Sequence, residues 1–175
     1  MNSKHAGPKP RLSFAVQYGV ATRNLPSRAQ LRKWAHAALE REAQITVRVV
    51  GQVEGKALNR NFRGKDYATN VLTFVFRETP PFEGDLALCA PVIAREAREQ
   101  GKSVVAHYAH LVVHGVLHLQ GYDHENAADA RVMEKRESQI ITGFGYPDPY
   151  DGRREVSGVR REARIAQKLR LTPHA

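Results

Sequence analysis

Seventeen residues, Val104 to Gln120, read "VVAHYAHLVVHGVLHLQ", and they constrain the fold more than any other segment. The stretch has no proline, a single glycine and enough apolar residues for a helix at least partly buried in the domain. It also carries four histidines, His107, His110, His114 and His118, which a buried helix must partner. Positions four apart share a helical face, so His114 and His118 point the same way. Immediately after come Gly121, Tyr122, Asp123 and His124. Gly121 suits the left-handed residue that ends a helix and turns the chain back. Such a turn brings His124 toward the first two imidazoles.

A lone histidine on an apolar helix face is an ordinary packed or solvated residue. Three at the spacing H-x-x-x-H-x-x-x-x-x-H, with glycine at the bend, point instead to a metal site. Three neutral imidazoles from a helix and the following turn leave a coordination position open for water or substrate. His107 and His110 lie on the same face one and two turns earlier. A fourth protein ligand would close the site, so these two are read as supporting or structural residues. Metalloprotease helices carry H-E-x-x-H, in which the glutamate is the general base. Here that position is Gly115. A peptidase would therefore lack its proton acceptor even with the metal cage intact.

"HGVLHLQGYDH" (114 to 124) resembles the H-G-x-L-H-L-x-G-Y-D-H motif of the YbeY family of bacterial rRNA maturation factors. The similarity extends to "LNRNFRGKDYATNVLTFVF" (58 to 76), "EGDLAL" (83 to 88) and "MEKRESQIITGFGYPDPY" (133 to 150), in the family's order. Together these cover about residues 12 to 150. Two positions depart from the family pattern: Thr73 stands where serine is usual, and Asn70 where many members carry aspartate. No carboxylate chemistry is therefore assigned to position 70. The resemblance implies a single-strand-specific, metal-dependent endoribonuclease of rRNA processing, acting at the 3′ end of the small-subunit 16S RNA and in ribosome quality control. Its implied partners are ribosomal RNA, the ribosome or its small subunit, and single-stranded RNA. It implies one zinc ion on His114, His118 and His124, with nickel or another divalent transition metal as alternatives. His114 and Arg63 are the implied catalytic residues, and Arg63 in "FRGKD" has the planar guanidinium suited to bidentate phosphate contact. Asp85 and Asp123 are candidates to support the ligating imidazoles from behind. Two other readings stay open: a non-catalytic ribosome-assembly or RNA-binding factor with a structural metal, and another metal-dependent hydrolase such as a peptidase.

At 175 residues the chain suits one domain. Cys89 is the only cysteine, which excludes an intramolecular disulfide, and it reads as a small core residue of the strand "DLALC". No signal peptide and no run of 18 apolar residues is visible, so a cytoplasmic protein without membrane partners is expected.

The formal charge of +9 is concentrated at the two ends. Residues 1 to 11 form a basic N-terminal extension, and 151 to 175 a basic tail containing Arg153, Arg154, Arg160 and Arg161. These four arginines are candidates for RNA phosphate contacts, which would make affinity depend on salt. The other reading of the tail is a helix packed through Val159, Ala163 and Leu169.

Between the ends, 12 to 18 and 45 to 50 read as strands, separated by a helix from 27 to 42 opening at an N-cap, Ser27. A short helix at 54 to 62 precedes a strand at 70 to 76, a proline-bearing loop at 77 to 84 and a strand at 85 to 89. Helices follow at 91 to 100, with Pro91 at the start, at 104 to 120, and at 127 to 142. This pattern predicts a single-domain α+β fold in which a small mixed β-sheet packs with helices. A zincin-like three-histidine site would sit on one helix and its following turn.

Overall fold

The computed structural model describes residues 7–153 and 168–170. Strands β1 (Leu12–Tyr18), β2 (Ala43–Val50), β3 (Val71–Arg77), β4 (Phe82–Cys89) and β5 (Lys168–Arg170) form one mixed sheet in the order β1-β2-β4-β3-β5. The pairs β1/β2, β2/β4 and β3/β5 are parallel, and β3/β4 is antiparallel. Helices α1 (Arg28–Ala37), α2 (Gln52–Arg63), α3 (Ala90–Glu99), α4 (Val104–Leu119) and α5 (Ala127–Gly143) cover it, followed by a 3-10 turn at Asp151–Arg153. The expected α+β architecture is present.

Helix α4 is the centre of the fold. Every residue from Ala106 to Leu119 is buried, because β3 and β4 lie against it on one side while α1, α3 and α5 pack around it. A helix apolar on all sides is stable only in such an enclosure. Gly115 sets how closely it approaches the sheet: a Cβ there would lie 2.7 Å from Leu86 Cδ2 and 3.3 Å from Thr73 Oγ1. The glycine that removes the protease-type base is thus required by packing.

Side chains alternate along β4. Leu86 and Leu88 join the large core with Leu111, Leu117, Trp34 and Met133. Ala87 and Cys89 face the other way, where Leu58 of α2 packs on both. Cys89 is buried there, as expected of a core residue.

Two boundaries differ from the sequence expectation for identifiable reasons. The first helix ends at Ala37 rather than residue 42, because Gln120 at the end of α4 captures the segment beyond it. Gln120 Oε1 accepts from the backbone N–H groups of Glu40 (2.7 Å) and Arg41 (3.4 Å), and Gln120 Nε2 donates to Ala38 O (2.7 Å). The segment placed in a loop at 77 to 84 contributes Arg77 to β3 and residues 82 to 84 to β4, leaving a connection of residues 78 to 81. The pairing of Arg77 with Glu83, which also form a 3.2 Å ion pair, extends the hairpin. In the tail, the backbone at Leu169 lies in a strand beside β3 rather than in a helix, and Val159 and Ala163 fall outside the described residues.

Candidate metal centre

The helix carrying His114 and His118 closes with a turn that returns the chain along its own end. Gly121 adopts φ 100°, the N–H of Gly121 donates to His118 O (3.1 Å), and that of Tyr122 donates to Leu117 O (3.1 Å). This paired capping pattern requires a left-handed residue after the helix, a role glycine fills without steric cost. Asp123 Oδ1 then accepts the backbone N–H of His124 at 2.7 Å, holding the loop that carries the third imidazole.

The result is a cluster. Ring centroids are 4.4 Å apart for His114 and His118, 4.8 Å for His118 and His124, and 5.7 Å for His114 and His124. One ring nitrogen from each lies within 4.8 Å of the others, and among the described residues no fourth histidine, cysteine or carboxylate joins them.

Two of the rings are oriented from behind. His114 Nδ1 donates to Glu137 Oε1 at 2.8 Å, and His118 Nδ1 donates to Tyr122 O at 2.9 Å. Each bond places the proton on Nδ1 and leaves the Nε2 lone pair free. The Nε2 atoms of His114, His118 and His124 are all buried without a hydrogen-bond partner. Three buried ring nitrogens left unsatisfied in one place are costly unless a cation occupies the space between them. Burial lowers the pKa of His114 despite the opposing pull of Glu137, and pushes that of His118 down to about 3, assisted by the neighbouring imidazoles. Both rings are thereby held neutral, the state that metal coordination needs. The donor set therefore fits a zinc-like ion.

Glu137 escaped the sequence reading. It is fully buried, accepts from His114 Nδ1 and from His110 Nε2 (2.6 Å), and receives a short hydrogen bond from the Tyr150 hydroxyl. Burial alone would raise its pKa, but the surrounding imidazoles and these hydrogen bonds hold the carboxyl well below the usual range. The signal was spacing: Met133, Glu137, Ile140 and Ile141 form the buried stripe of α5, so the glutamate occupies a core position. Its neighbours in "MEKRES" disguise it as part of a charged surface.

The remaining candidates are dispersed. Asp85 belongs to the β4 face opposite α4, where its carboxylate bonds the Thr46 side chain, half-buried and with its pKa raised by desolvation. The assignment of Asp85 as a support for the histidines is therefore corrected: the sheet separates its side chain from α4. Arg63 is the last residue of α2, which packs on β4 from that same opposite face. His107 pairs with Glu96 Oε2 at 2.8 Å, and His110 pairs with Glu137, the carboxylate that also serves His114. The backbone of Arg153 lies in the 3-10 turn, while Arg154, Arg160 and Arg161 fall outside the described residues. Among the described residues no helix is long and apolar enough to cross a membrane.

A family model described as Endoribonuclease YbeY matches residues 20–145. A Nitrosomonas eutropha protein named Endoribonuclease YbeY is 60% identical over 137 residues, covering 78% of this chain and 97% of that one. Relatives of the same name from Nitrosospira multiformis (53% over 167 residues, 86% and 88% covered) and Thiobacillus denitrificans (57% over 143 residues, 81% and 97% covered) are also similar. The solution structure of a Thermotoga maritima protein is similar at 25% identity and a TM-score of 0.49, covering 79% of this chain and 97% of that one.

Proposed function

This chain belongs to the Endoribonuclease YbeY family, and from that premise we propose that it is a metal-dependent endoribonuclease that cleaves single-stranded RNA. Its proposed role is maturation of the 16S rRNA 3′ end and ribosome quality control, with the ribosome or its small subunit as partner. The observation that carries the reading is the convergence of three buried, unpartnered Nε2 atoms, with the Nδ1 atoms of His114 and His118 already committed elsewhere. Three ligands without a fourth among the described residues favour a reactive ion over a structural one, since structural zinc sites are closed.

His114, His118 and His124 would hold one zinc ion, or a nickel or similar divalent ion. When bound, such an ion supplies positive charge that stabilises developing negative charge on phosphate oxygens and activates water. The chain does the positioning. Glu137 fixes the His114 ring, the Tyr122 carbonyl fixes that of His118, and the Asp123 carboxylate fixes the loop bearing His124. In this reading Arg63 binds a phosphate of the RNA, and Arg153, Arg154, Arg160 and Arg161 add phosphate contacts outside the catalytic domain. That domain is assigned to residues 12 to 150, between basic extensions at 1 to 11 and 151 to 175. The protein is assigned to the cytoplasm.

The test is cleavage of a defined single-stranded RNA containing the 3′ end of the small-subunit precursor, with a duplex of the same sequence as control. The metal-loaded protein should cut the single strand, and chelated protein or His114→Ala should not. Arg63→Glu should retain metal and fold while losing most cleavage, because a repulsive charge replaces a phosphate-binding one. Cleavage by His114→Ala equal to that of the parent would refute the assignment.

A further inference from the structure

The chain has six Phe, six Tyr and one Trp, and the exposed ones are Phe62 and Tyr67. Both lie where α2 ends. The helix turns Gly55, Leu58, Asn59 and Phe62 toward the sheet, and Phe62, on its last turn, overhangs the covered part. Its ring meets that of Phe74 at 5.1 Å and 80°, yet 44% of the residue stays in contact with water. The helix stops at Gly64 (φ 66°), and Asn59 Nδ2 donates to Tyr67 O at 2.6 Å, which ties the backbone bearing the second aromatic to α2. Two rings are thus held at the surface by a rigid element. A ring held in place beforehand loses little freedom when something flat is laid on it.

Charge narrows what that partner is. Residues 56 to 67 carry Lys56, Arg60, Arg63 and Lys65 against Asp66 alone, a net +3. Asp66 lies 3.6 Å from Lys56 and 3.7 Å from Arg60, and Glu54, just before, is held by Arg48 at 2.6 Å. Asp85, the register partner of Phe74 on β4, bonds the Thr46 side chain. The nearby acids are answered locally, and the excess is positive. Exposed rings interleaved with cations suit a single nucleic-acid strand, whose bases stack on the rings while its phosphates meet the cations.

We propose that Phe62, together with Tyr67, is a stacking platform for an unpaired base of the RNA strand. The inference rests on the RNA-cleaving reading above and adds a binding site to it. Thr73 and Phe74, adjacent on β3, point opposite ways: Thr73 Oγ1 lies 3.3 Å from where a Cβ at Gly115 would be, beside His114, while Phe74 meets Phe62. One strand therefore separates platform and metal cluster, and the stacked base belongs to a nucleotide flanking the one that is cut. Every base has a face to stack, so the platform tolerates any sequence and favours the larger purines.

The test measures binding of 2′-O-methyl oligoadenylate and oligouridylate, checked on a gel to stay intact, to the full-length, metal-loaded protein. Oligoadenylate should bind more tightly than oligouridylate. Phe62→Leu, which keeps apolar contact with Phe74, should weaken oligoadenylate binding by roughly tenfold, the order expected for one stacked base. Because no charge is removed, the slope of log affinity against log salt should match that of the parent. Phe62→Trp should bind at least as tightly as the parent, and oligoadenylate should quench its new emission; Trp34 is buried and contributes a constant background. Should Phe62→Leu misfold, the quenching still decides. Binding by Phe62→Leu within about twofold of the parent, a shallower salt slope in that variant, or unquenched Phe62→Trp emission would each overturn the proposal. Cleavage separates the two levels of inference. If the parent cuts single-stranded RNA and Phe62→Leu cuts it equally well at subsaturating RNA, the platform fails alone. Binding that depends on Phe62 in a protein that cuts no RNA refutes the endoribonuclease reading instead.

Discussion

Glu137→Gln keeps the shape of the side chain and removes its charge, which isolates what the buried carboxylate contributes. In the parent, one oxygen serves His114 Nδ1, and the other serves His110 Nε2 and the Tyr150 hydroxyl. A glutamine retains one acceptor; its NH₂ can only donate, so at least one of the three donors, and two if the amide oxygen stays with His114, now meets a donor. Hydrogen bonds to charged groups contribute about 1.5–3 kcal/mol each, giving an upper bound of roughly 3–6 kcal/mol for two. Tautomer exchange at His110 and rotation of the Tyr150 hydroxyl recover part, leaving an expected loss of about 2–4 kcal/mol in urea unfolding of the metal-free protein. Metal affinity, measured by competition with a chromophoric chelator, should fall about 10–100-fold because His114 loses its charged orienting partner. The acid limb should change as well. The folded pKa of Glu137 lies below the unfolded value of about 4.3, so its stabilisation is complete above that pH and is lost as pH falls through the folded value. Glu137→Gln removes that contribution. Unfolding within about 0.5 kcal/mol of the parent, the range of a surface substitution, together with unchanged metal affinity would refute the argument.

Gly115→Ala should destabilise by about 1–3 kcal/mol despite the better helix propensity of alanine, because its Cβ would meet Leu86 at 2.7 Å inside a closed core. Urea unfolding measures it, and a stabilised variant would show that α4 can shift off the sheet. The metal-free protein should lose stability below about pH 6.5, at about 1.4 kcal/mol per pH unit for each histidine held neutral. The sign follows from His118: its folded pKa of about 3 lies below the unfolded value, so the unfolded state binds the extra proton as pH falls. Flat stability from pH 6.5 to 5 would contradict this. Deleting 152 to 175 removes the strand beside β3 and net +5 of charge, so the plot of log RNA affinity against log salt should become shallower, by about 0.7 for each phosphate that the tail neutralises. An unchanged slope would exclude the tail as an RNA arm.

Most of the architecture was legible in local pattern. Strand and helix order followed from periodicity, and the caps at Ser27 and Gly121 followed from residue chemistry. What escaped was set by residues distant in sequence. Leu39 to Glu42 continue an acceptable helical pattern, yet Gln120, some eighty positions away, holds the backbone there out of the helix. Asp85 was misassigned because "DLALC" is apolar on both faces once the aspartate is passed. A strand covered by α4 on one side and α2 on the other gives no alternation from which to read direction.

The histidines of α4 show where spacing stops being informative. Steps of three, four and four put His107, His110, His114 and His118 along one stripe, and periodicity treats the four alike. Their roles diverge through what faces each of them. Glu96 of α3 takes His107, while Glu137 of α5 takes His110 on one oxygen and His114 on the other. The loop that turns at Gly121 supplies the Tyr122 carbonyl to His118 and brings in His124. His110 presents Nε2 to Glu137, while His114 presents Nδ1 to the same carboxylate, leaving Nε2 for the cluster. One buried carboxylate thus engages opposite ring nitrogens in successive turns of a single helix. That choice of ring nitrogen, which only the packing of α5 against α4 determines, leaves His114 rather than His110 with Nε2 for the ion site.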